Sequence, residues 1–401
     1  MAPLLPARAS RSRTFLRRAV IALAIGHGAL HLIGVVKAIA PAAVPQLREP
    51  VGPPAAAAWS TAALLCVAGG VLLARRDPRW WAAAAAGALL SQGLVVVRWS
   101  DTWAATAPNA VLLLAAGCGW ARDGRLGLRA RFARRVEQVA PPADGRAVVD
   151  RDLAHLPLPV QRYLRRVGVV GAAHVHTMDA RLRGQIRADA AKPWMPFTAR
   201  QVNTFTAAPS RFFLLDATMA GVPVDVLHEY TGHAARMRGR LASVVPLFDA
   251  RGRELTRSET VTLFNDMCVL APATLVDAAV SWHTLDDRHV RATWSTGGEA
   301  ITAELVFDAD GDLVDFASDD RMRASADGRT FTRLPWSTPL SRFRGIRGLR
   351  LPTYGEARWR TPDGDLVYLE IEIVDVRYNV DHRAVVGAGG EITLKQPTVA
   401  H

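Results

Sequence analysis

Cysteine is scarce in this chain, with three in 401 residues, at positions 66, 118 and 268. Thiols so far apart form neither a disulfide framework nor a CxxC metal pair, which fits a reducing compartment for the soluble part. The plain reading is three buried thiols. GxSxG, Walker, Rossmann and HExxH patterns are also missing. The usual grounds for assigning an enzyme class are therefore absent, and whether the chain is an enzyme stays open. No metal and no cofactor is expected. Acidic residues are few in the first part: residues 1–149 hold 6 Asp/Glu against 18 Lys/Arg, whereas residues 150–401 hold 31 of each. The whole formal charge of +12 belongs to the first part, so the high pI reports membrane topology, and no nucleic-acid partner is expected.

What is present is four apolar runs, 19–40, 55–74, 80–97 and 104–121, each near the roughly 20 residues that cross ~30 Å of hydrocarbon. Arg17 and Arg18 before the first run resemble a signal peptide. Three further runs and no cleavage site directly after the first argue against removal. Arg8, Arg11, Arg13, Arg17 and Arg18 precede run one, Arg75, Arg76 and Arg79 lie between runs two and three, and an arginine series from Arg122 follows run four. The positive-inside rule then places both termini and everything after run four in the cytoplasm. A multi-pass cell-membrane protein is expected. Gly87 and Ser91 form a small-xxx-small pair that lets backbones approach, and Trp80, Trp81, Trp99, Trp103 and Trp120 sit at run ends as interface anchors.

Polar residues inside the runs need partners. His27 and His31 share a helix face, and His31 and Gln92 lie at similar depth, each roughly 18 Å from the inner end of its own run. They are expected to meet. Lys37, Arg98, Asp101 and Asn109 form a second group nearer the outer surface, where a Lys37–Asp101 pair would neutralise both charges. Structural glue between helices, a small-molecule or proton-handling site, and a metal or haem site are the three readings. Both histidines on one helix, with no further ligand beside them, disfavour the metal.

Residues 122–139 read as a basic amphipathic helix, with Leu126, Leu128, Phe132, Val136 and Val139 broadly on one side, suited to anionic headgroups. The Pro141–Pro142–Ala143–Asp144–Gly145 stretch is a linker, which gives three parts: 1–121, 122–149 and 150–401. From about His174 the apolar period becomes two. Asp310–Gly311, Asp327–Gly328, Asp363–Gly364 and Gly297–Gly298 signal hairpins. Ten or so antiparallel strands are expected. Thr256–Arg257–Ser258–Glu259 has capping-box spacing and opens one apolar helix, 258–271. The fold class is therefore α+β: a four-helix transmembrane bundle, then a large antiparallel half-barrel with one packed helix. Met219, Met237, Leu263, Phe264, Met267, Trp282 and Trp294 are the residues that would line an apolar pocket, or equally fill a solid core. His174 and His176, as well as the pairs Asp286–Asp287 and Asp319–Asp320, read as surface or solvated-turn groups. His228 and Glu229 point to opposite faces of a strand.

The pattern Gly28-x-x-His31-Leu32-Ile33-Gly34-x-x-Lys37, then Gln92, Trp99-Ser100-Asp101 and Asn109, resembles the four-span region of an uncharacterised bacterial membrane-protein family. Leu156-Pro157-x-Pro159-Val160-x-x-Tyr163-Leu164, Pro196-Phe197-Thr198-Ala199-x-Gln201 and Gly355-Glu356-Ala357-x-Trp359 resemble its soluble domain. Thr102–Trp103–Ala104–Ala105–Thr106 departs from the small glycine-containing loop expected after Trp-Ser-Asp. The resemblance implies the architecture and transfers no activity. The sheet-plus-helix layout also looks like the lipoprotein-carrier fold, whose members hold acyl chains but work outside the cytoplasmic membrane. Two function classes follow: a membrane-anchored module binding membrane lipid or another apolar small ligand, and a membrane enzyme or transporter built on the bundle's polar residues. A scaffold without ligand is the third. Protein partners are unknown.

Overall fold

The computed structural model describes residues 7–140 and 145–382, with side chains from residue 14 onward. Most of the linker at 141–145 lies outside the described residues. The chain divides into two compact units. One runs to Arg131 and includes Asp216–Val226 and Gly239–Leu247. The other holds Phe132–Leu215, Leu227–Arg238 and the chain from Phe248 on.

In the first unit, α1 (Ala7–Leu30) and α2 (Leu32–Ile39) form one apolar stretch interrupted at His31. Helices α3 (Pro53–Ala74), α4 (Trp80–Val97), the single turn α5 (Trp99–Thr102) and α6 (Thr106–Asp123) follow. Among the described residues, four helical stretches are long and apolar enough to cross a membrane. Small residues set the packing: a Cβ on Gly87 would lie 2.8 Å from Cys66 Sγ, and one on Gly69 would lie 2.9 Å from the Ala84 backbone. Ala24, Cys66, Ala88 and Leu112 meet in the centre. Helix α7 (Leu128–Glu137) is shorter than the basic helix expected over 122–139. Leu128, Phe132, Val136 and Val139 are buried, whereas Leu126 is exposed. Arg129 and Arg135 are engaged by Asp216 and Glu229, so these two arginines turn to carboxylates of the chain.

In the second unit, α8 (Leu158–Val167) ends at Gly168 in the left-handed region. Six sequential strands follow: β1 (Thr177–Ile186), β2 (Met195–Thr204), β3 (Ser210–Met219), β4 (Val222–Tyr230), β5 (Ala235–Leu241) and β6 (Val245–Arg251). Then comes α9 (Arg253–Val269), and after it β7 (Val280–Thr284), β8 (His289–Thr296), β9 (Glu299–Phe307) and β10 (Leu313–Ser318). Strands β11 (Met322–Ala324) and β12 (Phe331–Arg333) form a separate two-stranded sheet. The chain closes with β13 (Trp336–Ser337), β14 (Leu340–Ile346), β15 (Leu349–Thr361) and β16 (Gly364–Tyr378). Every expected hairpin glycine has positive φ, among them Gly311, Gly328 and Gly364. Gly297 is required twice over, since a Cβ there would also sit 1.7 Å from the Gly232 carbonyl oxygen.

Among the described residues fourteen strands join in one sheet, ordered β6-β5-β4-β3-β2-β1-β16-β15-β13-β10-β9-β8-β7 with β14 on β15. Strand β8 lies eight steps from β3 along that order, about 38 Å in a flat sheet at ~4.8 Å per step. Yet α9 touches both: Asp266 bonds Arg211 of β3, and Phe264 stacks on Trp294 of β8. A helix only 10–12 Å wide reaches both strands because the sheet curls around it. The α+β half-barrel with one packed helix follows.

Helix α9 begins five residues earlier than the expected 258–271. The capping box is not its start, because Thr256, Ser258, Thr260 and Thr262 donate to carbonyls four residues back. Those hydroxyls sit inside the helix, and the start is Gly252, with φ +119°. Pro272 then begins a short 3-10 turn.

Candidate functional site

The site is built on α9, of whose 17 residues 13 are buried. One side is polar. Glu259 and Asp266, seven residues apart and so two turns along one face, both reach Arg211 of β3. Arg211 Nε donates to Asp266 Oδ2 at 2.8 Å, and Nη1 donates to Glu259 Oε2 at 2.9 Å. The same Asp266 oxygen accepts from Gln201 Nε2 at 2.6 Å and Asn203 Nδ2 at 3.1 Å, both on β2. His228 Nδ1 of β4 lies 3.0 Å from Glu259 Oε1. Burial opposes the Glu259 charge, but Arg211 and then His228 outweigh it and hold the carboxyl at about 2. Burial pushes the Asp266 carboxyl up, against the pull of Arg211. One cation thus serves two carboxylates inside the hollow of the sheet, and the donors that could greet an outside anion are already engaged.

The other side of α9 is aromatic. Phe264 stacks on Trp294 with centroids 5.5 Å apart and meets Phe316 at 5.8 Å. Trp336, Trp359 and Tyr368 continue the series, with the Arg321 guanidinium over Trp336 at 4.6 Å. Of the seven residues expected to line a pocket or fill a core, Leu263, Phe264, Met267 and Trp294 are buried. Met237 and Trp282 are half-buried, and Met219 is exposed at the end of β3. At the end of the helix, Tyr163 donates to the Cys268 carbonyl at 2.6 Å, and Tyr378 donates to that of Leu270. Tyr163 and Gln201, each from a stretch that carried the family resemblance, therefore both bond α9, and Trp359, from a third such stretch, joins it through Trp336 and Phe316.

Two adjacent hairpin tips carry exposed apolar side chains. Met219 and Val222 flank the β3–β4 turn, and Val244, Val245 and Leu247 flank the β5–β6 turn; each is 38–53% exposed. The tips are tight, with positive φ at Ala220, Ala242 and Ser243, a conformation unfavourable for these residues. Ser243 donates to Asp225 and so ties the two tips together. Against burial, Arg129 holds the Asp216 carboxyl below its ordinary value, while burial and then the Asp216 charge push Asp225 up.

In the bundle, the expected His31–Gln92 contact does not form. His27, one turn earlier, takes that place: its Nε2 lies 2.7 Å from Asn109 Oδ1 and 3.2 Å from Ser91 Oγ. Asn109 Nδ2 donates to Gln92 Oε1 at 3.0 Å, and Gln92 Nε2 donates to Thr106 Oγ1 at 3.2 Å. A polar chain thus links α1, α4 and α6. The expected Lys37–Asp101 pair is absent as well. Lys37 Nζ donates to the carbonyls of Pro41 and Val44, each at 3.0 Å, and Asp101 accepts from the Arg48 backbone. Both groups satisfy the loop after α2, whose free backbone groups lie nearer than the opposite charge.

Two readings of surface groups are also corrected. His174 is buried, with Nδ1 2.6 Å from Asp277. Asp320 is buried and held by Arg257 and the Thr302 backbone. Among the described residues no cluster of His, Cys, Asp and Glu is arranged to hold a metal.

Comparison with family models matches residues 146–371, more than half of the chain, to the family of unknown function DUF6544. The chain belongs to the DUF6544 family. The matched segment covers the sheet and α9 of this DUF6544 protein but not its apolar helices, and it brings no activity with it. No curated protein matches the chain. Three solved structures are similar over about half of it. A Vibrio parahaemolyticus domain classed with outer-membrane lipoprotein-sorting proteins covers 53% of this chain and 91% of its own, at 8% identity and TM-score 0.31. A DUF1329 family protein from Desulfovibrio piger covers 55% and 92%, at 13% and 0.33. A LolA superfamily protein from Nitrosomonas europaea covers 58% and 94%, at 10% and 0.27. Likeness at these scores says nothing of ligand or location.

Proposed function

We propose that this DUF6544 protein is anchored by its apolar helices and that its half-barrel, on the cytoplasmic side, takes a lipid or another apolar ligand from the bilayer surface. The observation that carries the reading is the apolar rim: five exposed side chains on two neighbouring hairpin tips, grouped in one compact unit with the membrane helices. Each gains on the order of 1 kcal/mol on leaving water for the headgroup layer. Arg129, six residues beyond the end of α6, pairs with Asp216 at the base of the first tip, which supports a position close to the membrane surface. The polar side of α9 is closed on itself by Arg211, so recognition falls to the aromatic side, which selects apolar matter. The arginine asymmetry supports the cytoplasmic side. A periplasm-active reporter fused after Arg135 would overturn that placement, and one fused after Gly52 is expected to be active.

Native mass spectrometry of the detergent-extracted full chain tests the binding. A co-purifying lipid is expected on the natural protein and at lower occupancy on Val244→Asp/Val245→Asp. Equal occupancy on both, or none on either, rejects the reading.

A further inference from the structure

Three buried polar atoms of the bundle have no hydrogen-bond partner among the described residues: His31 Nε2, Trp59 Nε1 and, at the end of α4, Arg98 Nε, whose guanidinium is held through Nη2 on the Pro50 carbonyl at 3.0 Å. The His31 and Trp59 side chains belong to one place. The ring centroids lie 5.3 Å apart at 67°, and the residues are 4% and 6% exposed. An unsatisfied buried group costs about 1–3 kcal/mol, and more in hydrocarbon, where no water competes. A third feature coincides with the pair. The helix is interrupted at His31, where the backbone takes three-residue bonds, His31 N to Gly28 O and Gly34 N to His31 O, each at 3.2 Å. Broken helices at membrane depth occur where the backbone is buried or lines a cavity, and they commonly mark binding sites.

The chemistry of a guest follows from the donors. The Trp59 indole only donates, whereas His31 Nε2 donates or accepts according to its tautomer. One oxygen meets both needs: a hydroxyl accepts from Trp59 and donates to His31, and a carbonyl accepts from each. A charged guest does not fit. The flanking groups are the His27 ring, 4.9 Å from His31, and Gly34, where a Cβ would lie 2.2 Å from the Trp59 ring. Lys37 is turned to Pro41 and Val44. His27 is occupied by Ser91 and Asn109. The close approach at Gly34 also wedges the indole in place before any guest arrives.

We propose that His31 and Trp59 form an intramembrane site for a neutral oxygen-bearing group, the hydroxyl or ester carbonyl of an apolar molecule drawn from the bilayer. The site is independent of the half-barrel. The test is thermal melting of the full chain in nanodiscs of ether-linked phosphatidylcholine, which carries neither an ester carbonyl nor a hydroxyl, with and without dioctanoylglycerol, which carries a hydroxyl and ester carbonyls, or trioctanoylglycerol, which carries esters alone. Saturating guest is expected to raise the melting temperature by about 5 °C. The rise should vanish in both Trp59→Phe and His31→Phe and persist in Leu64→Ala on the exposed side of α3. A response to both lipids assigns the carbonyl, and a response to dioctanoylglycerol alone assigns the hydroxyl. No rise with either lipid means the site holds water only and overturns the proposal, as does a rise that survives in Trp59→Phe and His31→Phe.

Discussion

Arg211 Nε and Asp266 Oδ2 lie 2.8 Å apart in the hollow of the sheet, and the same guanidinium holds Glu259 two turns earlier on α9. Removing the cation leaves two buried carboxylates without their counter-charge. Arg211→Met should cost about 3–5 kcal/mol, the usual penalty for breaking one side of a buried pair. Arg211→Met/Glu259→Gln/Asp266→Asn should recover much of that loss. Denaturant unfolding of the detergent-solubilised chain measures both. A triple variant no better than the single one would show that the charges do not set the cost.

Acid should expose the same cluster. The Glu259 carboxyl sits at about 2 in the folded protein, below the ~4.3 of an unfolded glutamate. Its contribution is fully present above that value and is lost as pH falls toward about 2. Glu259→Gln should flatten the fall in stability across this window.

Asp315 works in the opposite sense. Burial raises its carboxyl to about 6, so the folded state is penalised as pH rises from ~3.9, where the unfolded aspartate ionises, to about 6. Asp315→Asn should remove that decline in melting temperature between pH 4 and 6. An unchanged profile would contradict the assignment.

Phe264 is fully buried between Trp294 and Phe316. In a solid core, Phe264→Ala should cost roughly 3–5 kcal/mol. If acyl chains occupy that side of α9, the variant should instead change which lipid co-purifies while the fold survives, as read by mass spectrometry together with melting.

The half-barrel was legible because its signals are local: period-two alternation, and hairpin glycines whose positive φ no other residue adopts as easily. The four apolar stretches were legible by length. The polar side of α9 was not, because Arg211, Gln201 and Asp266 come from three distant segments and meet only after the sheet curls. Glu259 was visible only as a capping-box member, a role that the back-bonded hydroxyls of α9 displace. In the bundle, depth along an ideal helix selected His31 as the partner for Gln92. Instead His27, one turn earlier on α1, meets Asn109, which itself holds Gln92; depth alone does not choose between two histidines on one helix face. His27→Leu and Asn109→Leu should show a coupling of order 1 kcal/mol in a double-mutant cycle.

A hairpin rim that touches the bilayer is seen directly in a depth measurement. A fluorophore on Val245→Cys, in a Cys118→Ser background of the full chain, is placed in nanodiscs containing brominated phospholipid. A matching label on Leu285→Cys marks the β7–β8 turn, at the opposite end of the strands. Strong quenching at position 245 and little at 285 is the predicted result. Equal, weak quenching at both positions would mean that the rim stays in water and would contradict the account.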